Sequence, residues 1–320
     1  MRVIVTLCWA LLCLTPAHGL AQAYPDRSIR LLVGYPAGGS VDATARVIAE
    51  RLGPMLGQPV VVENRAGATG NIAADMLAKA APDGYTLYMG TSINAVSVSL
   101  FKNLSYDPLR DFAPVSKTVV SPSVLILHLS IPAKNVRELV AYAKANPGKL
   151  TYASTGAGSS PHLCAELFST LAGIRMLHVP YKGAAPATTD LLGGQVALTF
   201  SNPTSAIAHV ASGRIRALAV TGARRFSQLP ELPTMIEEGF PDFDLTAWYG
   251  VMAPRGTPPD IVNRLNGALV KILQVPAVKE LLEKQGLEAQ SSTPAELMAE
   301  LRDDIAKYAR LLKDAGVAPQ

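Results

Sequence analysis

Two loops carry the residue types that can hold an anion. "YPAGGSVD" (35–42) and "STGAGSSPH" (154–162) each follow an apolar run and precede a helical pattern. Gly38, Gly39, Gly156 and Gly158 let backbone N–H groups approach a ligand closely, and the helix start that follows adds a positive dipole. Ser154, Thr155, Ser159 and Ser160 add hydroxyl donors, and "GTS" (90–92) ends a third strand candidate. One Gly-Gly between strand and helix is an ordinary tight turn. Its recurrence at a second strand end argues for two facing halves of a grip on a carboxylate-bearing molecule.

Other chemistries fit less well. Neither loop has the G-x-x-x-x-G-K-[ST] or G-x-G-x-x-G spacing of a nucleotide site, and no cofactor motif is present. Ser159, His162 and Asp190 contain the letters of a hydrolase triad, but no G-x-S-x-G elbow exposes a nucleophile. An exported serine hydrolase therefore stands only as the alternative from another class. His128, His178 and His209 lack metal-ligand spacing, so no metal is expected. Cys164 falls early on a helix beside Leu163, Leu167 and Phe168, which favours a buried, inert thiol. Asp303-Asp304 and Glu237-Glu238 read as solvated faces. "NRAGATGN" (64–71) reads as a sheet-edge loop that caps its helix.

The elements that must position these loops alternate. Strands are expected over 29–34, 60–63 and 86–89, with helices striped by Val41, Ala45, Ile48, Ala49, Leu52 and Leu56 and over 72–80. Gly53-Pro54 is expected to kink or end the first helix, and Gly57 with Pro59 to stop it. The pattern returns in the middle, with strands over 123–128, 150–153, 176–180, 195–200 and 215–220. Ser160 reads as an N-cap with Pro161 at the first helical position. After a last strand over 247–253 the chain is helical. The order predicts α/β architecture, each unit a mostly parallel sheet covered by helices. Crossovers are placed near 114–122 and 239–246, dividing the chain into 24–118 plus 244–320 and 119–243.

The first 23 residues set the compartment. Arg2, an apolar run over 3–14 and Ala21-Gln22-Ala23 describe a secretory signal peptide cut after Ala23, too short to span a bilayer. Removing it takes away Cys8 and Cys13 and leaves Cys164 alone, so no internal disulfide is expected. The 320-residue chain has a net charge of +4 with scattered basic residues, Arg224-Arg225 being the longest run. That excludes a nucleic-acid footprint.

"YPAGGSVDATAR", "GQPVVVENRAGATGNIAAD", "DGYTLYMG", "LTYASTGAGSSPHL", "VPYKGAAPATTDLLGGQV", "GRIRALAV" and "WYGVMAPRGTP" together resemble the Bug (TctC-like) family. These are periplasmic solute-binding proteins of tripartite tricarboxylate transporters, and the likeness runs through essentially the whole mature chain. It implies a two-domain periplasmic-binding-protein (Venus flytrap, type II) fold that captures a small carboxylate without turnover. The partner would be the membrane permease of the transporter, with a sensor kinase as the alternative partner, and the protein would act as a monomer. Carried over by motif, the first-domain contacts are Tyr35, Ala37, Gly38, Gly39 and Ser40, with Ser92 at the next strand end. The second-domain contacts are Thr155, Gly158, Ser159 and His162, with Asp190 lining the cleft. Trp248 falls near the hinge, either against the ligand or in the core. Where the family often has an aspartate after "QVALTF", this chain has Ser201. That leaves a more neutral wall, better suited to a di- or aromatic carboxylate than to an amino acid.

Overall fold

A computed structural model describes residues 24–319; the signal-peptide reading of residues 1–23, with Cys8 and Cys13, lies outside the described residues. The chain opens on β1 (Ile29–Val33), α1 (Ser40–Leu56) and β2 (Val60–Asn64). Val41, Ala45, Ile48, Ala49, Leu52 and Leu56 are all buried, so the stripe read from the sequence is the face α1 lays on the sheet. Pro54 does not end this helix. It sits in the last turn, and Gly57 terminates it in the left-handed conformation (φ 82°), its N–H returning to the Gly53 carbonyl. A 3₁₀ turn (Ala68–Gly70) leads into α2 (Asn71–Ala78), followed by β3 (Thr86–Thr91) and α3 (Ile93–Leu100).

Next comes a short helix, α4 (Pro108–Asp111), and an 11-residue strand, β4 (Phe112–Pro122), where a bare crossover was expected. Its two prolines sit where they disturb the ladder least. Pro114 lies at an irregularity in the pairing with the returning strand, and Pro122 is the final residue. One residue, Ser123, separates β4 from β5 (Val124–His128). Then follow α5 (Val136–Ala145), β6 (Thr151–Ser154), α6 (Ser160–Ala172), β7 (Leu177–Pro180), α7 (Ala184–Leu192), β8 (Leu198–Ser201), α8 (Pro203–Ala211) and β9 (Ile215–Val220). The chain returns as β10 (Thr246–Pro254) and finishes with α9 (Pro259–Gln274), α10 (Pro276–Glu283), a two-residue strand β11 (Glu288–Ala289) and α11 (Pro294–Asp314).

The strands form two sheets, ordered β11-β4-β10-β3-β1-β2 and β7-β6-β8-β5-β9. Apart from β11 the two are built alike. β2, β1 and β3 run parallel, as do β7, β6 and β8. In each sheet the next strand, β10 or β5, runs antiparallel to that trio, and the last one, β4 or β9, reverses again. Both sheets are thus mixed, with the parallel portion confined to the βα repeats.

The two connections between sheets lie side by side. Thr221, fully buried, donates its backbone N–H to the Ser123 carbonyl (2.9 Å), and its hydroxyl accepts from the Ser123 N–H (2.8 Å). The same hydroxyl donates to the Leu245 carbonyl (2.8 Å), so one side chain ties the outgoing and returning segments together. Apolar burial continues across this junction: one cluster holds Leu32 and Tyr88 of the first sheet, Trp248 and Leu301, and Phe168 and Phe200 of the second unit. α11 enters on a capping box, the Thr293 hydroxyl accepting from the Glu296 N–H while Glu296 accepts from the Thr293 N–H. Its buried Leu297, Leu301, Leu311 and Leu312 contribute roughly 1.5–3 kcal/mol each on full burial.

Backbone contact fixes how β1 ends. A Cβ on Gly34 would lie 2.5 Å from the Gly70 Cα and 2.9 Å from its carbonyl oxygen, with no flexible side chain to yield. Gly34→Ala is expected to destabilise the chain by about 1–3 kcal/mol through overpacking, read as a lowered Tm. An unchanged Tm would contradict this close approach.

Candidate functional site

The strand-to-helix turns at the carboxyl ends of β1, β3, β6 and β8 border the crevice between the sheets, the position where open α/β sheets bind ligands. The β1–α1 and β6–α6 turns share one construction. Gly38 (φ 85°) donates its N–H to Asp42 Oδ2 (2.9 Å), and Gly158 (φ 74°) donates its N–H to His162 Nδ1 (3.1 Å). In each, the residue after that glycine is the N-cap, Gly39 and Ser159, and neither makes a side-chain cap. The second cap is therefore one residue earlier than Ser160. The Ser159 hydroxyl is spent on the Gly156 carbonyl (2.6 Å). Gly38 and Gly158 were expected to offer their amides to a ligand; both amides are committed within the turns. The first-turn N–H groups of α1 and α6 have no intrahelical partner.

Asp42 is almost fully buried and accepts from Gly38, from Arg46 Nε (2.9 Å) and, on its other oxygen, from Asn64 Nδ2 (2.8 Å). Burial alone would raise its carboxyl, but these hydrogen bonds prevail and hold it at about 2. His162, expected at the ligand, is buried behind its turn. Its ring stacks on His178 (4.4 Å between centroids), which stacks on Tyr152 (4.8 Å). His178 Nε2 pairs with the Ser154 hydroxyl (2.6 Å), and the Tyr152 hydroxyl donates to Glu166. Desolvation lowers both imidazole pKa values; for His162 the neighbouring His178 lowers it further, while Glu166 opposes the shift in both.

Two adjoining cavities open into the crevice. One, of about 250 Å³, is walled by hydroxyls and amides, among them Ser123, Thr155, Ser160, Thr188, Ser201 and Asn202. The other, of about 140 Å³, lies between Ser92, Val96, Leu163, Cys164 and Tyr308. Ser160, Ala247 and Tyr249 line both. Of the expected contacts, Ser92, Thr155 and Ser201 reach these walls. Ser40 joins them through the Tyr249 hydroxyl (2.9 Å), and Tyr35 through the Thr91 hydroxyl (3.3 Å). Ala37, Gly38 and Gly39 are exposed and line neither cavity. Asp190 accepts from Tyr181 (2.7 Å) and is not among the lining residues.

Trp248 belongs to the core rather than the crevice: its indole N–H donates to Asp304 Oδ2 (2.7 Å). Strand alternation turns its neighbours Ala247 and Tyr249 the other way, into the cavities. The period of two in "AWYG" already sets Tyr249 and Trp248 on opposite faces. Ser159, His162 and Asp190 each have a different partner and form no relay. Burial pushes the Cys164 thiol up to about 12, as suits an inert sulfur. Among the described residues no His/Cys/Asp/Glu group could hold a metal, and no helix is long and apolar enough to cross a membrane.

Comparison with known proteins adds to this geometry. Residues 44–317 match the family described as the tripartite tricarboxylate transporter family receptor. The chain is 41% identical to the protein BugT of Bordetella pertussis over 298 residues, covering 92% of this chain and 91% of that protein. Among solved structures it is similar to R. palustris Rpa4515 with adipate, at 38% identity and a TM-score of 0.76, covering 93% of this chain and 100% of that one. It is also similar to MatC from Rhodopseudomonas palustris with bound malate, at 32% identity and a TM-score of 0.71, covering 90% and 100%.

The histidine stack makes stability depend on pH. Folding holds both imidazoles below the ordinary value of 6.5, and unfolding releases them to it. As pH falls below that value the unfolded chain binds more protons, so stability present above about 6.5 is lost toward acid. His162→Gln keeps an acceptor for Gly158 and removes the proton site. Wild type is expected to lose more Tm between about pH 7.5 and about pH 5 than this variant. Equal losses would exclude His162 as a source.

Proposed function

Because the chain belongs to the tripartite tricarboxylate transporter receptor family, we propose that it is a periplasmic solute-binding protein that captures a small carboxylate and presents it to a membrane permease. The supporting observation is the crevice itself: helix starts and hydroxyls converge on cavities whose lining includes no charged side chain among the described residues. A carboxylate entering such a site must recover the hydrogen bonds it gave up in water, and oriented N–H and O–H groups return them in charge-assisted form. Relatives with adipate and with malate support a carboxylate as the ligand. In this reading residues 1–23 are removed after Ala23 on export.

Ser92, Thr155 and Ser201 would meet the ligand with their hydroxyls, and the first turns of α1 and α6, at Ser40 and Ser160, with their amides. Ala37 and Gly39 would reach it from the first unit as the crevice closes. Gly38, Gly158 and His162 would act by holding the turns in shape. We take 24–118 plus 244–320 and 119–243 as the two units that close, bending at the crossovers tied by Thr221. A ligand touching both turns stabilises only the closed form, and that differential affinity drives closure. Binding without turnover accords with the separate partners of Ser159, His162 and Asp190. An ammonium group would find no carboxylate at the wall that holds Ser201, so amino acids are disfavoured.

Protein purified from the periplasm and denatured should release a carboxylate identifiable by mass spectrometry. That compound, added back at 100 times its Kd, should stabilise the protein by about 2.7 kcal/mol. Gly39→Val tests the first turn. Gly39 has φ −77°, and a Cβ there would have the Pro36 carbonyl oxygen at 3.5 Å, so the variant should fold. Its affinity is expected to drop at least about tenfold, a loss of about 1.4 kcal/mol. Unchanged affinity in the folded variant would remove the α1 turn from the site.

A further inference from the structure

The second cavity narrows the ligand class. Its walls are Ile93, Val96, Leu163, Cys164, Leu245 and Tyr308. Most of the polar groups at its mouth already have partners. The Thr91 hydroxyl is 3.3 Å from the Tyr35 hydroxyl, the Ser160 hydroxyl is 3.5 Å from that of Ser123, and the Tyr249 hydroxyl is 2.9 Å from that of Ser40. No cation lines it among the described residues, so an anion drawn into it would lose its water and gain no counter-charge. Its volume, about 140 Å³, is close to that of engineered apolar cavities of about 150 Å³ that stay dry and accept benzene.

The two cavities meet at Ser160, Ala247 and Tyr249, with the small Ala247 side chain at the junction. A molecule filling both has its anionic group among the hydroxyls and helix starts of the larger cavity and an uncharged, compact body in the smaller one. We propose that the ligand is a cyclic monocarboxylate of the benzoate class, with its carboxylate at the α6 and α8 turns, where the α1 turn closes onto it, and its ring between Val96, Leu163 and Tyr308. This rests on the carboxylate-binding reading above and sharpens it. The site is built for one charge, so a molecule with carboxylates at both ends, or a tricarboxylate, must either bury a charge beside Leu163 or leave the apolar cavity unfilled.

The test is a titration of ligand-free, full-length mature protein with benzoate, terephthalate, succinate, adipate and citrate, read by calorimetry and by Tm. Benzoate is expected to bind at least about tenfold more tightly than each of the others. Terephthalate is the sharpest comparison, since it keeps the ring and adds a charge at the end that enters the apolar cavity. Val96→Phe, which fills that cavity, should weaken benzoate at least tenfold; the benzoate–terephthalate comparison decides the matter if this variant does not fold. Succinate, adipate, citrate or terephthalate binding as tightly as benzoate would overturn the benzoate assignment while leaving carboxylate capture intact. No response to any member of the panel would count against carboxylate capture itself.

Discussion

The N–H groups of a helix's first turn lack intrahelical acceptors, and a crevice that sheds water makes that lack costly unless an anion supplies them. Such groups can select a ligand only if the turn presenting them holds one shape. The protein meets this requirement twice with the same device, a left-handed glycine whose N–H reaches the side chain four residues on. In "GGSVD" the acceptor is Asp42 and in "GSSPH" it is His162. The repeated strand order β2-β1-β3-β10-β4 and β7-β6-β8-β5-β9 puts these turns at corresponding places in the two sheets. The remaining architecture, with α11 spanning the junction and Thr221 tying the crossovers, keeps the two presentations in register.

The two acceptors differ in kind. Asp42 carries a full charge, but Arg46 and Asn64 share it, and α1's own N-terminus lies beside it. Its ionisation is secure through the whole physiological range. His162 is neutral and depends on aromatic neighbours and burial to stay so. The first turn is therefore fixed by electrostatics and the second by packing. An imidazolium could not accept from Gly158, whereas no ordinary acidity would unseat Gly38 from Asp42.

Much of this was legible from residue order alone. The βα repeats, the stripe of α1, the helical tail and both glycine turns announce themselves by periodicity and by Gly and Pro placement. What hid had physical reasons. β4 carries two prolines, which read as loop punctuation because the irregularity beside Pro114 exists only once β10 has paired with it. α3, "INAVSVSL", packs both its apolar and its small polar residues inward, so it lacks the contrast between faces by which a helix is recognised. His162 reads as a ligand histidine and Asp42 gives no signal of its own, because a bond running back into the preceding turn leaves no trace in spacing. Tyr249 carries no motif of its own, although alternation along a strand sends it and Trp248 to opposite faces.

The position of β10 also bears on how the molecule is made. It lies between β3 and β4 in the first sheet, yet the chain delivers it only after the whole second sheet has been laid down. Until then β3 and β4 each present an open edge, a template for wrong pairing within the chain or with another. Completion of the first sheet thus waits on the second, and the joining step is a pairing between segments far apart in sequence, the slow kind. A chain emerging amino end first has no route to a finished first unit by itself. The same threading that places two turns across one crevice makes the two units a single cooperative folding problem.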